Sequence, residues 1–371
     1  MAKPVKSFDE WWVGSHYQNF VKKESAPLYE GSYLDDLATL PLAEWERRGG
    51  KVAYTRLAGQ EKVSLQIVEI PPKSQLKPEH HMYEAVMYVM KGTGATVVWQ
   101  EGEPKQTIEW SEGALLAVPL NAWHQEFNSS ATEPCRVLFG TNMAQVMNVY
   151  KSLDYVFNCP FAFKDRYSYS MEGYYSELGR HWNLRLFETN FIPDIRTFAL
   201  DKWEERGIRT SIMRLYMGNA TSMIHILEVS EGTYVTAHRH GAGAHVIVVG
   251  GEGYELLFMP GEEDDATKQR KVPVKPYGVI APRLNEFHQH FNTGKGPFRQ
   301  LAFKGWDVSP ETTDSKGRYD PVGAAKSDNL YGSSYKLRYD KEDPAIREEY
   351  YRELEKNGVT LRLPPLDQGP G

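Results

Sequence analysis

Apolar and polar residues alternate along several short segments of the chain. The alternation is clear in VSLQIVEI (Val63–Ile70) and TSMIHILEV (Thr221–Val229). β-Branched and aromatic residues fill VMYVM (Val86–Met90) and HVIVV (His245–Val249), as is typical of strands. Glycine, proline and asparagine interrupt these segments about every 8 to 12 residues. The pattern predicts an all-β sandwich or jelly-roll barrel rather than alternating strands and helices.

The chain also repeats itself. Four blocks of the first half return in the same order, and at a nearly constant separation, in the second half. They are EWERRGG and KWEERG, TRLAGQEKVSLQIVEIPP and MRLYMGNATSMIHILEVSEG, HHMYEAVMYVMKGTG and RHGAGAHVIVVGGEG, and PLNAWHQEFN and RLNEFHQHFN. Collinear blocks indicate a duplicated domain. The first pair is expected to form solvated turns that flank a buried tryptophan.

The duplication predicts two tandem jelly-roll barrels with a segment on either side. We expect an N-terminal arm over 1–40, a first barrel over 41–160, a second over 161–310 and a tail over 311–371. One short helix is predicted in the tail, in EDPAIREEYYRELEKNG. Asp343 can cap it, Pro344 suits its first turn and Gly358 can end it. The arm and this helix are expected to pack on a barrel or on a neighbouring subunit.

Composition narrows the function classes. The net charge is −6 and the pI is about 6.0, so no basic field favours nucleic acid or an anionic membrane. The two cysteines, Cys135 and Cys159, are far apart in sequence, which argues against a disulfide scaffold or a thiolate metal cluster. The first residues contain no apolar signal segment, and no apolar run approaches the roughly 18 residues of a membrane span. We expect a cytoplasmic homo-oligomer, a dimer or tetramer, because barrels leave sheet edges to protect.

Three histidines stand out in the second repeat. His238 and His240 are two residues apart, so on a strand they point to one face. His288 opens a later strand, HQHFN. Imidazoles from two strands that converge inside a barrel form a three-nitrogen metal site with open positions for substrate and dioxygen. Neutral imidazole suits iron, zinc, copper and nickel.

The motifs HRH…G and P…HQHFN resemble the two motifs of the cupin superfamily, and the duplication makes the chain similar to bicupins. The resemblance covers residues 45–305. Many cupins have a metal-binding glutamate four residues after the second histidine, where this chain has Ala244. That departure argues against manganese oxalate decarboxylases and oxidases. The chain most resembles gentisate, salicylate and 1-hydroxy-2-naphthoate dioxygenases, which implies three histidines on Fe(II), although in those enzymes the metal commonly lies in the first cupin.

The first repeat carries an incomplete version of the same set. Glu79 takes the position of His238, while His81 and His124 match His240 and His288. Two histidines and a carboxylate can hold iron as a facial triad. The alternative is a barrel that has lost its metal and kept a role at an interface.

Two further histidines are candidates for catalysis. His290 shares strand parity with His288, so it can donate to bound oxygen or act as a base. His245 has the wrong parity, but a bulge at a neighbouring glycine could turn it inward as a ligand or proton shuttle.

The leading hypothesis is a non-haem Fe(II) dioxygenase that cleaves a C–C bond of a small hydroxylated aromatic or related acid, with O₂ as co-substrate. Manganese, nickel and zinc stay open as other metals. The alternatives are a metal-dependent lyase, isomerase or hydrolase acting on a small polar substrate, and a non-catalytic bicupin that binds a ligand.

Overall fold

The computed structural model describes residues 14–182, 185–204, 207–218, 223–239, 244–304, 335–337 and 339–364. The strands of the first half are β1 Leu28–Gly31, β2 Tyr33–Leu34, β3 Ala43–Glu44, β4 Lys51–Leu57, β5 Ser64–Ile70, β6 Ala85–Lys91, β7 Thr93–Trp99, β8 Gln106–Ser111, β9 Leu115–Val118, β10 Trp123–Asn128 and β11 Cys135–Thr141. Those of the second half are β12 Arg180–Trp182, β13 Leu186–Glu188, β14 Phe191–Ile192, β15 Asp201–Lys202, β16 Thr210–Tyr216, β17 Met223–Val229, β18 His238–Arg239, β19 His245–Gly250, β20 Gly253–Phe258, β21 Arg270–Val274, β22 Val279–Ile280, β23 Phe287–Asn292, β24 Phe298–Lys304 and β25 Tyr335–Lys336. The helices are α1 His16–Lys23, α2 Met143–Tyr150, α3 Leu153–Asn158 and α4 Pro344–Asn357.

Each half forms a barrel from two sheets. In the N-terminal barrel, an eight-stranded sheet with the order β1-β4-β5-β11-β6-β9-β14 and β3 beside β4 faces the three-stranded sheet β10-β7-β8. In the C-terminal barrel, a nine-stranded sheet with the order β12-β13-β16-β17-β24-β19-β22-β2 and β15 beside β16 faces the five-stranded sheet β21-β20-β23-β18-β25. The predicted fold, two tandem jelly-roll barrels with a C-terminal helix, is confirmed.

The barrels exchange edge strands. β2 comes from the first half of the chain but pairs with β22 of the C-terminal barrel, Tyr33 opposite Ile280. β14 comes from the second half but pairs with β9 of the N-terminal barrel, Phe191 opposite Leu116. Each exchanged strand covers an edge that would otherwise expose unpaired backbone groups.

The two large sheets pack against each other through a shared apolar core. Leu65, Ile67 and Leu138 of the N-terminal barrel lie in one cluster with Ile226 and Leu301 of the C-terminal barrel. Packing is close enough that a Cβ at Gly140 would lie 2.4 Å from the Phe303 ring. The barrels are therefore joined by buried apolar surface.

Matching glycines bring the strands of each smaller sheet close together. A Cβ at Gly94 would lie 2.0 Å from the Phe127 carbonyl oxygen, and one at Gly253 would lie 1.9 Å from that of Phe291. Only glycine permits this approach of β7 to β10 and of β20 to β23. The residue type at these repeat positions thus fixes the strands that carry the histidines.

The C-terminal helix has the ends that the sequence predicts. The Asp343 carboxylate accepts a hydrogen bond of 2.9 Å from the Ala345 amide, and Gly358 ends α4 with φ 63°. Pro344 stands in its first turn. The buried face of α4, which contains Tyr350, packs on the C-terminal barrel.

In the described part of the chain, three further α-helices are present that were not predicted. α1 and α2 have eight residues each and α3 has six, so none is long enough for a clear apolar period. Tyr17, Phe20 and Val21 of α1 are buried in the core of the N-terminal barrel, which fits the expected packing of the arm. In the part of the chain that the structure describes, no helix is both long and apolar enough to cross a bilayer.

Candidate metal centre

Strand pairing brings three buried histidines together inside the C-terminal barrel. His288 and His290 are two residues apart on β23 and share a face, and His238 on β18 lies directly opposite His288. His238 is 3% exposed, His288 is 2% exposed and His290 is 4% exposed. One ring nitrogen from each lies within 4.8 Å of the other two. The three imidazoles can therefore reach a single cation.

Backbone carbonyls orient the first two rings. Nδ1 of His238 lies 3.3 Å from the carbonyl oxygen of Thr236, and Nδ1 of His288 lies 3.4 Å from that of Glu286. A carbonyl oxygen only accepts, so in each contact Nδ1 is the donor. With Nδ1 as the donor, Nε2 is the ring nitrogen that can bind a cation.

A carboxylate orients the third ring. Nδ1 of His290 lies 2.6 Å from Oε2 of Glu255, which stands directly opposite it on β20. Gln300 donates to the other oxygen of Glu255 at 2.7 Å. A carboxylate behind the distal nitrogen is the usual support of a metal-binding histidine, because it fixes the tautomer and raises the basicity of the ligand.

A small cavity lies beside the three rings. Its volume is about 20 Å³, which is on the order of one water molecule. Polar groups and apolar walls share the lining: Trp203, Ile212, His225, Leu227, His238, Ala244, Val246, His288, His290, Gln300 and Lys304. The site thus combines three imidazoles, one further histidine and one lysine in a small pocket with apolar walls.

The predicted site residues have different positions in the structure. His238 and His288 lie together, and His290, predicted as an acid or base, lies with them in a position suited to a ligand. His240 lies outside the described residues. His245 is buried on β19, but its neighbours Ala244 and Val246 line the cavity and it does not. β19 pairs with β24 in regular register at His245, opposite Phe303, and the glycines at which a bulge was expected, Gly241 and Gly243, lie outside the described residues.

Four polar residues of this site were missed: His225, Glu255, Gln300 and Lys304. Each lies on a strand, at an inward position that apolar residues otherwise fill. The sequence does contain a signal for them, because a polar residue at a buried position of a strand costs free energy unless it has a polar partner. The phase alone did not show which of them meet at the histidines.

The N-terminal barrel holds a matching cluster. Ligand atoms of Glu79, His81 and His124 lie within 4.8 Å of one another, and all three residues are buried. Nε2 of His81 and Nε2 of His124 are 3.2 Å apart. Nδ1 of His81 lies 2.7 Å from the Tyr83 carbonyl oxygen, and Nδ1 of His124 lies 2.6 Å from Glu126. Each ring of this cluster thus also has an oxygen next to its Nδ1.

Two arginines bind the carboxylates of the N-terminal cluster. Arg48 is 1% exposed and donates at 2.8 Å to both Glu79 and Glu126. Arg47 donates to the second oxygen of Glu79. The expectation that EWERRGG forms a solvated turn is therefore wrong for Arg48, whereas Trp45 is buried as expected, at 1% exposure.

The arginines determine the charge state of the cluster. Burial alone would raise the pKa of Glu79, but Arg47 and Arg48 outweigh it and hold that pKa well below its usual value. Burial is likewise outweighed at Glu126, where Arg48 and His124 lower the pKa to about 2. Burial and the neighbouring His124 lower the pKa of His81 to about 3, so this imidazole is neutral. The two carboxylates are already matched by two guanidinium groups.

Aromatic rings fill the space around the N-terminal cluster. Tyr83 stacks on His81 with ring centroids 3.6 Å apart. Phe139 lies 6.5 Å from the His124 ring and stands opposite Gln66 on β5. In the C-terminal barrel the same register has Ala302 opposite His225. The smaller side chain there leaves room beside the histidines.

Comparison with known proteins gives one family match. Residues 66–140 match the family described as "Cupin domain". Oxalate decarboxylase from Bacillus subtilis, described with Mn(II) centres, is similar at 12% identity and a TM-score of 0.48, over 76% of this chain and 78% of that one. Vicilin from hazelnut, Corylus avellana, is similar at 13% identity and a TM-score of 0.46, over 74% and 86%. No curated protein matches the chain.

The family match places a cupin domain in the N-terminal barrel, over residues 66–140. The C-terminal barrel repeats its two-sheet architecture, and each barrel holds a candidate metal cluster. The solved structures are too distant to carry an argument about reaction. The finer resemblance to gentisate, salicylate and 1-hydroxy-2-naphthoate dioxygenases stays a prediction.

Proposed function

We propose that the chain is a metal-dependent enzyme whose single metal lies in the C-terminal barrel. His238, His288 and His290 would hold it, with His240 as a further ligand predicted from the sequence. The observation that carries the proposal is that one ring nitrogen from each of these three buried histidines lies within 4.8 Å of the other two. The three rings can therefore reach one cation inside a buried pocket.

Fe(II) is the metal that we propose. The donor set is made of neutral nitrogens, and Glu255 sits behind a histidine rather than beside the metal position. Such a set suits iron better than manganese, which prefers oxygen ligands. Bound Fe(II) would supply open coordination positions and the electrons for dioxygen chemistry.

The protein would bind and orient a small hydroxylated acid next to the metal. Lys304 lines the cavity, and its charge suits a substrate carboxylate. Ile212, Leu227 and Val246 provide apolar walls that exclude water, which strengthens charge interactions in the pocket. The proposed reaction is a dioxygenase cleavage of a C–C bond, in which both oxygen atoms of O₂ enter the product and no external reductant is consumed.

One observation favours a second candidate. The cavity of about 20 Å³ suits a substrate of few atoms better than an aromatic acid. A lyase that acts on a small acid through Lewis acidity, without O₂, has the same metal and the same basic residues.

Substrate screening in an oxygen electrode separates these functions. The full chain would be loaded with Fe(II) without oxygen and tested against hydroxylated aromatic acids and small aliphatic hydroxy acids. Oxygen uptake equal to substrate loss supports the dioxygenase, and substrate loss without oxygen supports the lyase. Bound metal with no turnover of any acid would favour a non-catalytic binding protein.

A matched pair of variants ties the activity to the site. His290→Ala should abolish turnover and metal retention. His181→Ala removes an exposed histidine that pairs with Asp201 at 2.8 Å, and it should change neither.

A further inference from the structure

A larger cavity lies on the outside of the N-terminal barrel. Its volume is about 360 Å³, which is within the range of small-molecule sites. His80, Trp123 and Phe161 are among its lining residues. His80 adjoins His81 in sequence, and Trp123 adjoins His124. Trp123 and His124 are neighbours on β10 and face opposite ways, and neither His81 nor His124 lines the cavity, so it is separate from the buried histidine cluster.

Aromatic rings form the walls of the cavity. Trp123 is half-buried and lies parallel to Trp99, with ring centroids 5.9 Å apart and planes 9° apart. His80 lies against the same indole at 4.3 Å. Phe161, at the rim of the same cavity, is 60% exposed and offers an apolar surface to a ligand.

The polar groups of the cavity are fixed by one asparagine. The Asn121 side-chain amide donates to the carbonyl oxygens of Cys159 at 2.9 Å and Phe161 at 2.7 Å. Its own oxygen lies 2.8 Å from Nδ1 of His80 and can only accept. Nδ1 of His80 is therefore the donor, and Nε2 of this ring is left as an acceptor.

Gln100 and Glu101 add further acceptors to the cavity lining. The amide nitrogen of Gln100 donates to the Tyr167 carbonyl oxygen at 3.4 Å, and its side-chain oxygen is an acceptor. Glu101 adds an exposed carboxylate. A ligand for this cavity needs hydrogen-bond donors, preferably with a positive charge, and an apolar body for the rings.

Cationic side chains already lie over two related aromatic rings of the chain. Nζ of Lys105 is 4.1 Å from the centre of the Trp99 ring. In the second repeat, Arg239 replaces His80 and Phe287 replaces Trp123, and the Arg239 guanidinium lies 5.3 Å from the centre of the Phe287 ring. The second repeat therefore covers its ring with a cation of its own, whereas the first has a histidine and an open cavity.

We propose that this cavity binds a small organic ammonium ion, a protonated primary amine with an apolar body. The body lies between Trp123 and Phe161, and the ammonium group donates to His80, Gln100 and Glu101. Cation–π attraction and the carboxylate favour the charged form of the ligand.

Titration of the full chain with phenethylamine at neutral pH, followed by tryptophan fluorescence and calorimetry, tests the proposal. Saturable binding is expected, and phenethyl alcohol, which lacks the charge, should bind at least about tenfold more weakly. Equal binding of the amine and the alcohol would overturn the proposal, and so would tighter binding of phenylacetate or no saturable binding of the amine.

Two surface variants localise the binding. Glu101→Gln should weaken phenethylamine binding about threefold, and Glu109→Gln, which removes another exposed carboxylate of the same barrel, should not. Trp123→Leu should weaken it at least about tenfold. If Trp123→Leu does not fold, the Glu101 and Glu109 pair still decides, and equal affinity for the two would contradict the site.

Discussion

The two barrels share one architecture and place matching side chains at one point, but different partners contact the carboxylates there. In the N-terminal barrel, Arg47 and Arg48 bind the carboxylate of Glu79. In the C-terminal barrel, His238 occupies the position of Glu79, and Glu255 contacts His290; Arg206, which matches Arg48 in the repeat, lies outside the described residues. The comparison teaches that matching barrels can place similar ligand sets at one point and surround them with different partners.

The space around each cluster follows the same division. Phe139 and Tyr83 pack against the N-terminal histidines. Ala302 stands in place of Phe139 in the C-terminal barrel, and a cavity is present there. In the N-terminal cluster the carboxylates are paired with arginines and aromatic rings pack on the histidines, whereas a cavity lies beside the C-terminal histidines.

Removing Arg48 should have the largest effect on stability. Arg48→Met would leave Glu79 and Glu126 buried without their shared cation, and breaking a buried ion pair on one side costs about 3–5 kcal/mol. Arg47 is more exposed, with 25% of its side chain accessible, so Arg47→Met should cost less. Chemical denaturation of both variants measures the difference, and equal losses would show that the network does not depend on burial.

The two barrels should respond to pH in opposite directions. In the N-terminal barrel, the lowered pKa values of Glu79 and Glu126 stabilise the fold above the ordinary glutamate value of 4.5. This stabilisation is lost as the pH falls from 4.5 toward 2. On the C-terminal barrel, burial raises the pKa of Glu342 to about 8. Its protonated form favours folding, so that contribution is lost as the pH rises from 4.5 to 8.

A single variant isolates the second of these effects. Glu342 accepts hydrogen bonds of 2.9 Å from Tyr234 and from Gln289. Glu342→Gln keeps the shape without the charge, and it should raise stability at pH 8 by on the order of 3 kcal/mol while changing little at pH 4.5. Thermal unfolding across this range measures it. A variant whose melting curve shifts equally at every pH would refute the assignment.

Removing the charge of Glu255, which contacts His290, should cause a smaller loss, in metal affinity. Glu255→Gln should weaken metal binding about 10- to 100-fold, because the ring of His290 loses its carboxylate. Glu126→Gln changes the matching support in the N-terminal barrel and should leave the metal content unchanged. Competition with a chelator compares the two variants, and parallel losses would place a metal in both barrels.

The smallest predicted effect concerns the helix that packs on the C-terminal barrel. Asp343→Ala removes the cap of α4 and should cost about 1 kcal/mol. Hydrogen exchange should then increase in α4 and leave α1 of the N-terminal barrel unchanged. Loss of protection in both helices would show that the two ends of the chain unfold together.

The sequence predicts the fold well because the repeated blocks contain the residues that form the strands of both barrels. Repeated alternation, paired glycines such as Gly94 and Gly253, and the caps of α4 are local signals with direct physical causes. The short helices α1 to α3 have no comparable signal, because six to eight residues are held by tertiary packing.

The site was predictable only in part. His238 and His288 follow from parity, and so does their face shared with His290. The partners that decide between the barrels are distant in sequence: Arg48 contacts Glu126, and Glu255 contacts His290. A pattern along one strand cannot show which strand pairs with it. The ion pairs of Arg48 with Glu79 and Glu126 in the N-terminal cluster were therefore not predicted.

Metal content per chain tests the account most directly. The full chain, His288→Ala and His124→Ala would be loaded with Fe(II) without oxygen, freed of excess metal and measured by elemental analysis. We predict one metal ion per chain in the unaltered protein and in His124→Ala, and none in His288→Ala. Retention of the metal in His288→Ala with its loss in His124→Ala would place the metal in the N-terminal barrel and contradict the account.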